Sequence, residues 1–383
     1  MSETVRTTYK ENLRRTPAQE RRLEEVLWRC GERYNTALEP RSAAYQRRRI
    51  SRSRYEQEAE LTAIRAAFPA YAAMYAAMYA AMHAHRLQDV LARLEKTYQA
   101  FFRRSQRREQ AGFPRVKGRT RFHSCTFKEH GNGARLENGV LVLSKIGRLR
   151  VHWSRPIEGT PKTGTPKTIT ICKEADGWYL AISCADVPVH ALPSTRQETG
   201  IDLGLESFAT LANGQRICAP SYYRKAQAYL RRCQRRVARG TKGSHRRRKA
   251  VALLAKAHLH ITRQRRDFHH KQAHKLVEAY DVIYHEDLRV ANMVRNQRLA
   301  KSIGDAGWSA FLAILTFKAA SAGKRVVAVN PAFTSQRCSG PDCGAIVSKG
   351  LSVRWHACPE CGASLHRDHN AALNILRLGQ ERQ

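Results

Sequence analysis

Negative charge is what this 383-residue chain has little of: 32 Asp and Glu stand against 68 Lys and Arg, for a formal net charge of +36. The deficit disfavours a cationic partner and points to a polyanion, because each phosphate neutralised by Lys or Arg releases counterions. Nucleic acid is thus the leading partner, with a ribosomal-type or membrane-surface protein the minor alternative on charge alone. Long hydrophobic runs are missing as well. With no stretch of 18 apolar residues, and no charged-then-apolar order in Met1 to Arg6, the sequence speaks against a membrane span or a secretory leader; a cytoplasmic site is expected. Six of the ten cysteines (Cys30, Cys125, Cys172, Cys184, Cys218 and Cys233) show no pairing pattern, which argues for a reducing compartment and small packing residues. What is present in quantity is core material: 42% hydrophobic residues serve two or three domains of a globular protein.

The apolar pattern changes character along the chain. Thr4 to Lys10 reads as a strand, and Thr16-Pro17-Ala18-Gln19 resembles a capping box with proline at the first helical position. Leu23, Val26, Leu27, Cys30, Tyr34 and Leu38 then recur at helical spacing, and Pro40 is expected to close that helix. A second helical region runs through Tyr-Ala-Ala-Met repeats beginning at Tyr71, Tyr75 and Tyr79, then on through Leu87, Val90, Leu94 and Phe101. A four-residue period drifts about 40° per repeat, so the tyrosines slant across one face, either packing a helix pair or stacking on bases. From Arg121 to Cys184, alternating strands with Asn138-Gly139 and Asp176-Gly177 turns spell a small β-barrel-like module, which the first strand is expected to join. Beyond a linker at 195–198, strands at 199–202, 282–284 and 325–329 alternate with helices at 245–279 and 308–322, an α/β order. Arg224 to Lys249 carries 12 basic residues in 26 and no acid. That run is a solvated face or a phosphate-tracking helix, with Arg231, Arg235 and Arg246 as candidate contacts.

The most specific local signal lies near the end. Four residues separate Cys338 from Cys343 and two separate Cys358 from Cys361, with 14 between the pairs. This is close to the spacing by which two knuckles close a tetrahedral structural zinc site. With four thiolates available, His356 and His366 are not needed as ligands, and surface or phosphate contact is expected for both. Three acids complete the picture: Asp202 in Gly200-Ile201-Asp202-Leu203-Gly204, Glu286 after a strand, and Asp368 at the start of the final helix. Each alone is a common cap or solvated turn. Together, carboxylates at strand ends can converge from distant segments, and their hard oxygens suit Mg²⁺ or Mn²⁺. Two such ions can activate water and stabilise the leaving 3′ oxygen of a phosphodiester. Asp287 points to the opposite strand face and is given no metal role. Arg367 can hold a phosphate and Asn370 can orient the Asp368 carboxylate, with helix capping the alternative for either.

Gly200 to Gly204, Glu286 to Met293, Thr334-Ser335-Gln336 before Cys338, Arg367 to Ile375, Ser302 to Trp308 and Gly112 to Gly118 together resemble the RuvC-type nuclease of the TnpB family. These are transposon-encoded RNA-guided endonucleases related to type V CRISPR effectors. The resemblance implies a multidomain protein with an RNase-H-like α/β nuclease over 196–329 and 365–383 and a zinc-binding, target-nucleic-acid-binding insertion at 330–364. It further implies a wedge β-barrel over 1–13 and 111–195 holding an inserted α-helical recognition lobe, 14–110. Asp202, Glu286 and Asp368 would hold two Mg²⁺ (or Mn²⁺) ions, and the four cysteines one Zn²⁺. Implied partners are a guide RNA from the transposon end, one protein per RNA, and double-stranded target DNA, with no membrane. Tyr75, Tyr79 and Gln88 fall in the lobe that resembles the reader of a target-adjacent motif. The first knuckle departs from the family pattern, with four intervening residues where two are usual. Two alternatives stand on sequence: a guide-independent, structure-specific nuclease, and a nuclease-silent RNA- or DNA-binding regulator.

Overall fold

The computed structural model describes residues 4–67, 84–118, 121–154, 164–350 and 352–381. Tyr75 and Tyr79, with the Tyr-Ala-Ala-Met repeat, lie outside these residues. The chain divides into two compact units, Thr4–Pro188 and a second beginning at Val189. Among the described residues no helix is long and apolar enough to cross a membrane.

In the first unit, strand β1 (Thr4–Arg14) alternates outward and inward residues so that Tyr9, Glu11 and Leu13 are buried. Glu11 tolerates burial because its carboxylate accepts the Ser154 amide at 3.0 Å and the Ser154 hydroxyl at 2.7 Å. The later strands are β2 (Ser124–Phe127), β3 (Ala134–Glu137), β4 (Val140–Leu143), β5 (Gly147–His152), β6 (Thr165–Lys173) and β7 (Trp178–Pro188). They form a nearly closed seven-stranded antiparallel sheet in the order β2-β6-β7-β1-β5-β4-β3. The N-terminal strand therefore sits mid-sheet, with Leu13 opposite Val151 and Tyr9 opposite Ile182. Asn138 and Gly139, at φ 48° and 73°, make the two-residue turn from β3 to β4, where both positions must be left-handed.

Among the described residues three helices lie between β1 and β2 in the chain: α1 (Pro17–Arg48), α2 (Arg54–Ala67) and α3 (Ala84–Gln106). The capping box at the start of α1 forms as read. The Gln19 amide reaches the Thr16 hydroxyl at 3.3 Å and the Thr16 amide reaches the Gln19 side chain at 2.9 Å. Pro40 does not close the helix, contrary to expectation. It lies inside α1, and the residues beyond it are held by tertiary contacts. Arg41, 2% exposed, pairs with Glu95 and lies over the Tyr98 ring, while Tyr45 packs against Phe101, Phe102 and Phe113. Packing against α3 outweighs an internal proline's cost of about 3 kcal/mol.

The second unit is built on a five-stranded sheet. Its strands are β8 (Glu198–Asp202), β9 (Ser207–Leu211), β10 (Arg216–Cys218), β11 (Val282–Glu286) and β12 (Arg325–Val329). They stand in the order β10-β9-β8-β11-β12. β8, β11 and β12 are parallel, and β9 and β10 fold back antiparallel through the Asn213-Gly214 turn. Helices α4 (Tyr222–Ala238), α5 (His245–Ala279), α6 (Val290–Met293), α7 (Ala300–Ala306) and α8 (Trp308–Ser321) supply the connections. Ala273, Leu276, Phe311 and Leu315 from α5 and α8 share a core with Ile201, Phe208 and Ile283 of the sheet. The last helix, α9 (Arg367–Gln380), contributes Ile375 to a separate cluster with Val282, Tyr284 and Val329.

Two glycines bring α9 and the strands unusually close. A Cβ on Gly200 would overlap the Ala372 carbonyl oxygen and stand 2.6 Å from the Leu376 nitrogen, and one on Gly379 would enter the Tyr284 ring. At the opposite end of the sheet, Asp281 receives Lys324, the Ser194 hydroxyl and the Thr195 and Arg196 amides. Those donors, Lys324 foremost, hold its carboxyl well below the usual range.

Candidate functional site

Asp202 is the last residue of β8 and Glu286 the last of β11, two adjacent parallel strands in which His285 lies opposite Ile201. The next step along that register sets the two acids side by side at the carboxyl ends of the strands, where open α/β sheets commonly place their chemistry. Asp368 is the second residue of α9 and is buried. Its helix is held against β8 and β11 by the close approach at Gly200 and Gly379. The electrostatics report the gathering. Burial first, then the Glu286 and Asp368 carboxylates, push the Asp202 carboxyl well above its ordinary range, with Arg367 pulling the other way. Burial also raises Glu286, opposed by the Thr334 hydroxyl, which donates to its Oε1.

Like charges brought this close favour the protonated form of Asp202, and a divalent cation would relieve that repulsion. Hard oxygen donors of this kind fit Mg²⁺ or Mn²⁺. Among the described residues, the carboxylate-bearing set whose donor atoms all lie within 4.8 Å of one another is, however, Glu206, His366 and Asp368. His366 takes the Asp368 amide on Nδ1 at 3.2 Å, its Nδ1 is 3.9 Å from Asp368 Oδ2, and its Nε2 is 3.8 Å from Glu206 Oε1.

The four cysteines also converge. Their sulfurs lie within 4.8 Å of one another, with Cys338 to Cys361 at 3.5 Å and Cys343 to Cys358 at 3.6 Å. A zinc tetrahedron with arms of about 2.3 Å has edges of about 3.8 Å, so the cluster fits Zn²⁺. The separations are far beyond a disulfide's bond of about 2 Å. Burial pushes the Cys338 thiol up to about 12, whereas the Cys361 amide above all, with that of Glu360, draws Cys358 down to about 7. The longer first knuckle, Cys338 to Cys343, is accommodated by turns in which Asp342 and Gly344 take positive φ of 51° and 62°.

Known proteins with the same sequence pattern fall on both parts of this site. The OrfB IS605 family, described as "Probable transposase", matches residues 181–297, and the family "Cas12f1-like, TNB domain" matches residues 308–375. A Streptomyces pristinaespiralis protein named "Putative RNA-guided DNA endonuclease" is 36% identical over 76% of this chain and 71% of its own length. An Escherichia coli K12 protein named "Putative RNA-guided DNA endonuclease InsQ" is 33% identical over 76% of this chain and 74% of its own. The chain belongs to the TnpB family. A mimivirus "TnpB-like protein L79" is 29% identical over 57% of this chain and 44% of that protein. Among solved structures, a Cas12f1–sgRNA–target DNA complex aligns over 97% of this chain and 99% of that chain at 15% identity with a TM-score of 0.36.

The remaining sequence-nominated residues of this TnpB family member are distributed as follows. Arg231 and Arg235 on α4, Arg246 on α5 and Gln88 on α3 are exposed. Arg367 is committed to structure, donating to the Gly350 carbonyl at 3.0 Å and the Ser335 hydroxyl at 3.1 Å. Asn370 does not orient the Asp368 carboxylate. It accepts the Ser339 amide at 3.0 Å and donates to the Arg337 carbonyl at 2.7 Å, while Asn374 donates to the same carbonyl at 2.7 Å and to that of Thr334 at 2.9 Å. His356 is not a surface contact either. It is fully buried and paired with Lys349, because the knuckle closes over it. Nor is His366 free on the surface; it caps α9.

Thr334, Glu206 and Arg354 were missed by sequence reasoning. Glu206 reaches Arg354 at 3.5 Å, and a cavity of about 380 Å³ lined by Gly204, Glu206, Phe208, Arg224, His269 and Arg354 opens beside them. Only Thr334 carried a signal, its place in the Thr-Ser-Gln run before Cys338.

Proposed function

We propose that this chain is an RNA-guided DNA endonuclease that cuts target DNA at Asp202, Glu286 and Asp368. The observation that supports it most is the convergence of three acids, Asp368 buried and Asp202 and Glu286 half-buried, from three separate segments at the carboxyl edge of a mixed sheet, in a chain of the TnpB family. The order β10-β9-β8-β11-β12, antiparallel on one side and parallel on the other, supports an RNase-H-like nuclease over 196–329 and 365–383. The cysteine cluster supports a zinc-bearing insertion at 330–364.

Asp202, Glu286 and Asp368 would hold two divalent ions, which when bound supply an activated water and stabilisation of the leaving 3′ oxygen. The residues themselves set the geometry. Thr334 fixes one oxygen of Glu286, the Asp368 amide is engaged by His366, and burial withdraws Asp368 from bulk water. In this reading a guide RNA from the transposon end, one protein per RNA, supplies sequence choice by pairing, after a short duplex motif has been recognised. The exposed cations of α4 and α5 are candidates for the phosphates of either strand. A cytoplasmic location belongs to the same proposal.

The test is cleavage of a guide-matched duplex by Asp202→Ala. Cutting should be abolished while RNA binding and most target binding persist. Undiminished cutting removes the assignment, and wild-type cutting that needs no RNA replaces it with a guide-independent nuclease.

A further inference from the structure

We infer that Phe333 and Trp355 form a stacking clamp that holds unpaired DNA bases beside the acids. The inference rests on the nuclease reading above and adds the groups that grip the strand by its bases. Both rings are 55% exposed, and neither is loosely placed.

Trp355 lies on β13 (Trp355–Ala357), opposite His366 of β14 (Ser364–His366). Its indole N–H donates to the Ser364 hydroxyl at 2.7 Å, and its ring stands edge-on to that of His366 at 6.4 Å and 89°. His366 in turn is 3.9 Å from the Asp368 carboxylate. One imidazole thus separates an immobilised, exposed indole from an acid of the site.

Phe333 is fixed through its backbone. Its φ of 62° is one that a bulky L-residue adopts only under constraint. The constraint is visible: its carbonyl accepts the Gln336 amide at 2.9 Å and the Arg337 amide at 2.8 Å. The next residue, Thr334, donates to Glu286. A strained backbone that leaves more than half of a phenylalanine in solvent gains little from packing it, which points to a use outside the fold.

The chemistry selects the ligand. Exposed Arg337 lies four residues beyond Phe333 and exposed Arg354 immediately before Trp355 in the chain, and Ile346 and Val353 are exposed as well. Aromatic faces interleaved with guanidinium groups suit single-stranded nucleic acid, whose bases offer free π faces while its phosphates meet the cations. Paired bases are closed to such rings, so the clamp discriminates for the unwound strand that a cutting site needs.

The test uses the full-length zinc-loaded protein with Ca²⁺ replacing Mg²⁺. Fluorescence anisotropy reads binding of a short oligo(dT), a hairpin duplex and an oligo(rU). Trp355→Ala and Phe333→Gly should each weaken oligo(dT) binding about tenfold, the scale of one lost base stack. Trp355→Phe should keep most of the affinity, and duplex binding should not change. Phe333→Gly should also melt no lower than wild type, because glycine relieves the positive φ. That pairing of kept stability with lost binding is what a merely structural ring would not give. Unchanged oligo(dT) affinity in both variants overturns the clamp, as does an equal loss on duplex or a loss confined to oligo(rU). A Phe333→Gly protein that melts lower and binds normally overturns it too. Should Trp355→Ala fail to fold, Trp355→Phe and Phe333→Gly still decide. Cleavage by Asp202→Ala probes the underlying nuclease reading separately, since that reading can fail while oligo(dT) binding responds as stated.

Discussion

An alanine at Gly200 would put a methyl group 2.6 Å from the Leu376 nitrogen and 3.2 Å from Ile375 Cβ, and into the Ala372 carbonyl oxygen. Two of those three obstacles are backbone atoms of α9, which cannot rotate aside as a flexible side chain can. The helix must therefore move away from β8. Overpacking costs about 1–3 kcal/mol, and a backbone obstacle argues for about 3 kcal/mol. For a folded unit of about 150–250 residues each kcal/mol is worth about 2–4 °C, so the melting temperature should fall by about 6–12 °C. α9 also carries Asp368, and a shift of about 1 Å at a reacting group commonly costs about a hundredfold in rate. Scanning calorimetry and guide-directed cleavage, both run well below the lowered transition, measure the two effects together. Gly304→Ala is the control, since a Cβ there meets nothing within 4 Å and lies within α7; it should stabilise slightly. Should Gly200→Ala melt and cut like wild type, α9 does not press on β8 in the way that positions Asp368.

Three further outcomes follow from the electrostatics. Asp202's folded carboxyl binds its proton more tightly than the unfolded one, so stability falls as pH rises from the ordinary range of about 3.8 to the raised value. Metal-free Asp202→Asn escapes that loss and should be the more stable protein at about pH 7, with the difference shrinking toward about pH 3; urea titrations across pH check it, and a constant difference contradicts it. Thr334→Val removes the donor that lowers Glu286, so the acid limb of the pH–rate profile should move to higher pH; an unmoved limb separates Glu286 from the chemistry. Zinc must displace protons from thiols such as Cys338, whose burial pushes it up to about 12. Competition with a colorimetric chelator should therefore show affinity rising with pH and a lower melting temperature on metal removal; pH-independent affinity rules out thiolate ligation.

What was legible in the sequence was what is local or periodic. Thr16 and Gln19 announced their capping box, Asn138-Gly139 its hairpin, and the cysteine spacing its cluster, because each is decided within a few residues. Pro40 misled because its local rule was outvoted by contacts to Glu95, Tyr98 and Phe113, more than fifty positions away in sequence. Asn370 and His356 misled for a related reason. A side chain that bonds a distant carbonyl or lies beneath a closing knuckle has no spacing to betray it. The acids were found at strand ends, but Glu206 beside His366 comes from a turn between β8 and β9 that no pattern ties to the final helix.

One oxygen atom links the two halves of the site. Asn370 and Asn374, one turn apart on α9, both grip the Arg337 carbonyl at 2.7 Å, next in sequence to the first zinc-type cysteine. The cysteine module and the acid-bearing helix are consequently bolted there, beside the Ser339 and Thr334 contacts, so slack introduced in one is inherited by the other. Anyone grafting a foreign finger onto this scaffold has to reproduce that carbonyl before anything else.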